Sequence, residues 1–136
     1  MSTKFIEKEE KIQEIIAKLT EESAKGKPIV VEGKKDAQAL RELGINGVIF
    51  TVKTGGKSFL EATGEIEKLG ANEVILLLDF DRRGKEGTAR LKQNMELAKI
   101  KANTRLWQDL HALTGREIQC IESLVSYLMT LKEKVG

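Results

Sequence analysis

The sequence predicts an α/β protein with a mainly parallel central sheet of about four strands and helices on both faces. Short apolar runs alternate with helical segments along the chain, which is the pattern of a parallel sheet. These runs are continuously apolar, as expected for strands that are covered on both sides. A longer helix precedes the pattern and a helical pair follows it. The length of 136 residues favours a single domain.

Each element is predicted from a local signal. Apolar residues recur at helical spacing between Glu and Lys in the first helix, and the first three helices end at Gly26, Gly44 and Gly70. The strands are aliphatic runs too short to form helices. In chain order we expect helix 4–24, strand 28–31, helix 36–43, strand 47–52, helix 59–69, strand 73–78, helix 87–98, a weaker strand 100–105 and closing helices 106–113 and 118–134. The expected core is about residues 27–98, between the N-terminal helix 4–24 and a C-terminal helical extension of about 106–134.

Composition excludes several classes of protein. The 23 basic and 21 acidic residues nearly balance, so the overall charge says little about partners. With one Cys and one His, neither a disulfide framework nor a Cys/His zinc site is expected, and a reducing cytoplasm fits. No apolar run is long enough to span a bilayer, so we expect no membrane partner and a cytoplasmic location.

Carboxylates follow two of the predicted strands. Asp79 and Asp81 come directly after the apolar run that ends at Leu78, and Glu32 follows the first strand. Alternation along an extended chain would point both aspartates the same way. Ligands of parallel α/β sheets bind outside the carboxyl ends of the strands, so the three acids are expected in one crevice. Clustered carboxylate oxygens suit Mg²⁺, and a third acid beside the metal can hold a second ion or transfer protons as a general acid/base.

Glycines and cations near these acids favour phosphate chemistry. Glycine lets backbone amides approach a phosphate closely, and lysine and arginine neutralise a phosphodiester backbone. The candidate glycines are Gly33, Gly55 and Gly56, and the candidate cations are Lys34, Lys35, Arg82, Arg83 and Lys85.

The two acidic motifs resemble those of the Toprim domain, a Rossmann-like fold shared by topoisomerases, bacterial-type primases, recombination proteins and certain nucleases. Residues 29–36 match an apolar strand followed by Glu-Gly-x-x-Asp, and residues 76–84 match a strand with Asp-x-Asp and a basic-glycine turn. The glycine turn at 54–56 resembles the segment between them. The resemblance covers about residues 27–98. It is strongest to small stand-alone archaeal Toprim proteins, which are similar to the ribonuclease that matures 5S ribosomal RNA precursors.

The resemblance implies Mg²⁺, with Mn²⁺ as a substitute, on Asp79 and Asp81. Glu32 is implied as a further metal ligand or as the general acid/base, and Asp36 as an additional acid. The implied partner is nucleic acid, either RNA or DNA, and the implied activity is that of a nuclease in RNA processing or DNA repair. A topoisomerase needs a nucleophilic tyrosine, whereas Tyr127 lies among apolar residues of the last helix.

Other interpretations stay open at this point. The chain could be a non-catalytic nucleic-acid-binding module or a subunit of a larger replication, repair or RNA-processing complex. An aspartate-nucleophile phosphatase is a third candidate, although no acidic pair follows residue 98. An Asp-x-Asp after an apolar run, taken alone, is more often a helix cap or a turn than a metal site, whereas its combination with Glu32-Gly33 and the parallel pattern favours a site. Trp107 is expected in the core rather than on a base, and the apolar stripe of the last helix is expected to pack in the core or to form a homodimer.

Overall fold

The computed structural model describes residues 3–52 and 59–135. Its elements are α1 Thr3–Ala24, β1 Ile29–Val31, α2 Lys34–Glu42, β2 Ile49–Thr51, α3 Phe59–Lys68, β3 Glu73–Leu76, α4 Arg82–Leu97, β4 Lys101–Asn103, α5 Arg105–Thr114, a 3₁₀ turn Ile121–Ser123 and α6 Leu124–Val135. Within these ranges no helix combines the length and the apolar character needed to cross a membrane.

The four strands form one parallel sheet in the order β2-β1-β3-β4, which confirms the predicted fold class. Val30 of β1 lies opposite Phe50 of β2 on one side and Leu76 of β3 on the other. The chain therefore leaves β1 toward β2 and later returns to pair β3 against the other side of β1. The strand order reverses between β1 and β3, and this is where sheets of this kind bind ligands.

Two apolar clusters cover the two faces of the sheet. Ile29 and Val31 belong to the cluster that α1, α2, α5 and α6 form, whereas Val30 belongs to the cluster of α3 and α4. This split follows from the alternation of side chains along a strand. Every residue of β1 is fully buried, as a strand in the middle of a covered parallel sheet should be.

The C-terminal stripe packs inside the chain. Its members Ile121, Leu124, Leu128 and Leu131 are buried in the cluster that contains α1. Tyr127 is buried beside them, with 9% of its surface exposed. Core packing thus accounts for the stripe, and the predicted homodimer stays a prediction.

Several boundaries differ from the sequence prediction. The paired part of β3 ends at Leu76, two residues earlier than predicted, and α4 begins at Arg82, five residues earlier than predicted. The early start of α4 has a local cause, because Asp81 caps the helix at that point. The last helix begins at Leu124, since residues 121–123 form the 3₁₀ turn.

Candidate metal and phosphate site

Glu32 and Asp79 leave adjacent strands at the same edge of the sheet. Glu32 follows β1 directly and is 6% exposed, whereas Asp79 lies three residues beyond the end of β3. The amide of Leu77 donates to the carbonyl of Val30 at 2.8 Å, so the pairing of the two strands continues toward the acids. We call this region the acid edge: residues 32–35 after β1 and residues 79–85 after β3. It lies at the point where the strand order reverses.

Asp36 fixes the start of α2. Its Oδ2 accepts from the amide of Gly33 at 3.1 Å, which satisfies a donor at the helix end. Its Oδ1 accepts from the amide of Glu122 at 2.9 Å. Both carboxylate oxygens of this buried residue are therefore bonded to backbone amides, and they join the first acidic motif to the C-terminal segment.

Gly33 leaves space in front of the start of α2. Its backbone is extended, with φ −139° and ψ 178°, a conformation that any residue adopts. Among the described residues, a Cβ built on Gly33 would meet nothing nearer than Oδ2 of Asp36, at 3.9 Å. Neither backbone strain nor packing against the described residues explains the glycine. A glycine here would permit the close approach of a ligand to the backbone.

Asp81 is the N-cap of α4. Its Oδ1 accepts from the amide of Gly84 at 2.8 Å, and its backbone is extended. The structural interpretation of Asp81 as a helix cap is thus confirmed. One carboxylate oxygen of Asp81 is held by this bond, and the residue remains exposed at the acid edge.

Gly84 lets α4 begin directly against the backbone of Asp79. A Cβ on Gly84 would lie 2.0 Å from the carbonyl oxygen of Asp79 and 2.9 Å from its Cα. No rotamer change relieves such a contact, because the atoms that it meets belong to the main chain. The glycine of the basic-glycine turn therefore sets the position of an acid.

Strand alternation does not set the directions of Asp79 and Asp81. Leu78 packs with α3 and α4, but Phe80 packs on the opposite face with Trp107. In an extended strand these two side chains would share a face. The extended geometry assumed in the prediction therefore ends before Asp81, and the cap bond orients that side chain instead.

Side chains and backbone from the C-terminal half hold the loop that carries the aspartates. Trp107 of α5 donates from Nε1 to the carbonyl of Leu78 at 2.8 Å. The amide of Phe80 donates to the carbonyl of Gln119 at 2.7 Å, and the Phe80 ring stacks on His111 with centroids 4.8 Å apart. The prediction that Trp107 is buried is confirmed, because only 9% of its surface is exposed.

The predicted cations lie in the first turns of α2 and α4. Arg82 pairs with Glu86 at 3.1 Å. Within residues 3–52 and 59–135, the other four form no ion pair: Lys34, Lys35, Arg83 and Lys85. All five are exposed. The N-terminus of a helix carries partial positive charge, so cations there are electrostatically unfavourable without an anion. Both first turns are thus arranged to attract anions to the acid edge.

The predicted glycine turn lies outside the described residues. Gly55 and Gly56 belong to the stretch 53–58, which follows β2. Their contact with phosphate stays a prediction.

The donor set at the acid edge fits a hard cation. Glu32, Asp79 and Asp81 offer oxygen ligands only, which is the chemistry of Mg²⁺ sites, and no described residue fills the space beside Gly33. Their carboxylate oxygens do not all lie within 4.8 Å of one another. In the described part of the chain, one trio meets that distance and could hold a metal: Asp36, Cys120 and Glu122. Its fit to Mg²⁺ is poorer, because it includes a thiol and because the oxygens of Asp36 already accept two amides.

Sequence reasoning missed Gln119 and the second partner of Asp36. Both contacts use backbone atoms of the segment 119–122, and a backbone atom leaves no signal in residue type. Gly84 did carry a signal, since a glycine inside the first turn of a helix costs stability unless close packing requires it.

The parallel sheet, the buried glutamate after β1 and the aspartates after β3 define a Toprim domain. The chain belongs to the Toprim domain family, whose sequence pattern matches residues 26–106. This confirms the resemblance, and it associates the protein with metal-dependent, nucleic-acid-related functions.

Two relatives of similar length come from archaea. A UPF0292 protein of Methanosarcina acetivorans is 38% identical over 127 residues, which cover 93% of this chain and 86% of the relative. A UPF0292 protein of Methanocaldococcus jannaschii is 39% identical over 119 residues, with 88% and 91% covered. A solved structure of a protein from Aquifex aeolicus is similar with a TM-score of 0.67 and 25% identity, over 82% of this chain and 95% of the other.

Proposed function

We propose that this protein is a Mg²⁺-dependent enzyme that cleaves phosphodiester bonds of RNA or DNA in the cytoplasm. The observation that supports this most is the strand order. Because β1 and β3 are neighbours, Glu32 and Asp79 come to the same edge although they lie 47 positions apart in the sequence. The same edge holds the first turns of α2 and α4 with their cations.

The acids have distinct roles in this proposal. Asp79 and Asp81 hold the metal, which when bound polarises the scissile phosphate and stabilises the charge that develops on it. Asp81 keeps one oxygen on the amide of Gly84, so its side chain is already oriented before a metal binds. Glu32, buried at the end of β1, holds or moves a proton.

The cations position the nucleic acid. Lys34 and Lys35 lie on one side of the acid edge, and Arg83 and Lys85 lie on the other. A strand that crosses the edge would place its phosphates between the two helix starts, where partial charges and side chains both attract anions. The amide of Gly33 already donates to Asp36, so the open space beside this glycine, rather than its N–H, serves the close approach.

The test uses variants that preserve the fold. Asn is as good an N-cap as Asp, so Asp81→Asn removes the charge of the ligand and keeps the bond to Gly84. With labelled RNA and DNA in Mg²⁺ or Mn²⁺, we expect Asp79→Asn/Asp81→Asn and Glu32→Gln each to lower the cleavage rate at least about a hundredfold. Glu96→Gln, at the other end of α4, removes the same charge and should cleave normally.

A direct measurement of Mn²⁺ binding complements the cleavage assay. A titration with Mn²⁺, followed by electron paramagnetic resonance, should show one class of Mn²⁺ site. The Asp79→Asn/Asp81→Asn variant should lack this site, and the Glu96→Gln variant should keep it. Undiminished cleavage by the double variant would refute the proposal.

A non-catalytic nucleic-acid-binding module is the second candidate. Two observations favour it. One oxygen of Asp81 is already held by the amide of Gly84, and the carboxylate oxygens of Glu32, Asp79 and Asp81 do not all lie within 4.8 Å of one another. In that case nucleic acid would bind with a steep salt dependence and stay intact in every divalent metal.

A further inference from the structure

A second polar site adjoins the acid edge on the α5 side. A cavity of about 410 Å³ opens there between α4, α5 and the loop that follows α5. Its volume is in the range of small-molecule sites. Phe80, between the two aspartates, forms part of its wall, and its amide bonds to Gln119, another lining residue. The cavity and the loop of the aspartates therefore share the same backbone.

The charged side chains that line this cavity, among the described residues, are all cations. Lys85 enters from the first turn of α4, and Arg116 from the loop after α5. Neither cation forms an ion pair with any residue that the structure describes, and no carboxylate is among the described residues that line the cavity. The position of Lys85 is unfavourable unless an anion compensates it, because it lies at the positive end of α4.

The rest of the lining suits an organic group attached to the anion. The ring of His111 stacks on Phe80, and Gln119 adds an amide side chain that makes no hydrogen bond within residues 3–52 and 59–135. A second cavity, of about 260 Å³ between α2 and α6, is different. It includes Glu42 and Glu122, so it does not favour an anion.

From this geometry we infer that the cavity binds one phosphate-bearing nucleotide of the nucleic-acid strand that crosses the acid edge. This inference rests on the proposed function, because it treats nucleic acid as the substrate. Lys85 and Arg116 hold the phosphate, and Gln119 and His111 face the attached nucleoside. This nucleotide is then adjacent in the strand to the scissile phosphate, which lies at the carboxylates of the acid edge.

The chain offers a specific probe of this site. It has a single histidine, so the imidazole protons of His111 give uniquely assigned NMR signals at the cavity. We would titrate the full chain with adenosine 5′-monophosphate, adenosine or inorganic phosphate, at constant pH, in Mg²⁺ and again in EDTA. We expect the monophosphate to shift the His111 signals saturably in both conditions, and adenosine to leave them unchanged.

Matched variants locate the phosphate. Lys85→Ala and Arg116→Ala should each weaken monophosphate binding about tenfold, as loss of a charge-assisted hydrogen bond does. Lys92→Ala and Arg90→Ala remove the same side chains from exposed positions of α4 and should bind as the unchanged protein does. A single-stranded hexanucleotide in EDTA should shift the same signals and displace the monophosphate.

Several results would overturn the inference. Unchanged His111 signals would refute the site, and equal binding by Lys85→Ala/Arg116→Ala would refute the role of the cations. Binding that needs Mg²⁺ would put the phosphate on the acids instead. If inorganic phosphate and adenosine 5′-monophosphate bind with equal affinity, the nucleoside makes no contact and a nucleotide site is refuted. If the hexanucleotide fails to displace the monophosphate, the claim that the site holds part of a nucleic-acid strand is refuted. If the protein cleaves nucleic acid but the His111 signals do not shift, this site is refuted and the proposed activity stands. If the signals shift but no cleavage occurs, only the proposed nuclease activity is refuted.

Discussion

The two edges of the sheet use charge in opposite ways. At the edge opposite the acids, Glu22 pairs with Lys18, Lys25 and Lys27, and Lys27 also reaches Glu73 at 3.4 Å. We call these residues the paired edge. At the acid edge, four of the five cations in the two first turns form no ion pair with described residues. At the paired edge the charges neutralise one another within the chain, whereas most cations of the acid edge have no ion-pair partner among the described residues, as the proposed binding of an anion requires.

Replacement of Gly84 should have the largest effect on stability. The Cβ of Gly84→Ala would overlap the main chain of Asp79, so α4 or the acid loop must move. We expect the free energy of unfolding to fall by about 3 kcal/mol, measured by urea denaturation. Gly64→Ala is the matched control. Gly64 lies in α3, and a Cβ built on it has no atom of the described residues within 4 Å, so the substitution should stabilise by about 0.5–1 kcal/mol. Similar values for both variants would show that close packing at Gly84 is unimportant.

Asp36 tests whether a carboxylate next to the acid edge can serve stability. Asp36→Ala removes the acceptor of two backbone amides and should destabilise by about 2 kcal/mol in the same measurement. Among the described residues, Asp109 pairs with Arg105 alone, at the surface. Asp109→Ala removes this carboxylate and should cost about 0.3–0.5 kcal/mol. A loss at Asp36 no larger than that at Asp109 would contradict the structural role.

Glu22 should make the paired edge sensitive to acid. Hydrogen bonds from Lys27, and then from Lys18, lower the pKa of Glu22 from 4.5 to about 2. Since the pKa is depressed in the folded protein, the stabilisation is complete above pH 4.5 and is lost as the pH falls to about 2. The stability difference between the unchanged protein and Glu22→Gln should therefore shrink over that interval.

The control for Glu22 is its neighbour Glu21, whose side chain is 56% exposed. Glu21→Gln should give a much smaller difference at neutral pH. A difference for Glu22→Gln that is constant from pH 6 to pH 2 would argue against the ion-pair network.

The smallest expected effect concerns the salt dependence of nucleic-acid binding. Lys35→Ala at the acid edge should lower the slope of log affinity against log salt by about 0.7–1, because one phosphate contact is lost. Lys25→Ala at the paired edge removes the same charge and should leave the slope unchanged. Equal slopes for the two variants would mean that the two edges do not differ in binding.

Much of this arrangement could be predicted from local patterns. Apolar runs such as 73–78 indicated the strands. The shared location of the acids was predicted because ligands of parallel sheets bind outside the carboxyl ends of the strands. The prediction failed where tertiary contacts decide. The turn of Phe80 toward Trp107 ended the extended geometry before Asp81, and no local pattern signals a contact between residues 80 and 107. Asp81 is both a helix cap and a candidate metal ligand. The same sequence pattern fits either role, so only the structure shows the hydrogen bond that caps α4.

The bond between Asp36 and Glu122 also sets an order of assembly. The two residues are 86 positions apart, and a ribosome that adds about 5–20 residues per second needs about 4–17 s to make the chain between them. During that time Glu32 and the helix after it exist without the segment that fixes them. A nascent chain thus carries an unfinished acid edge until the segment around residue 122 has been made.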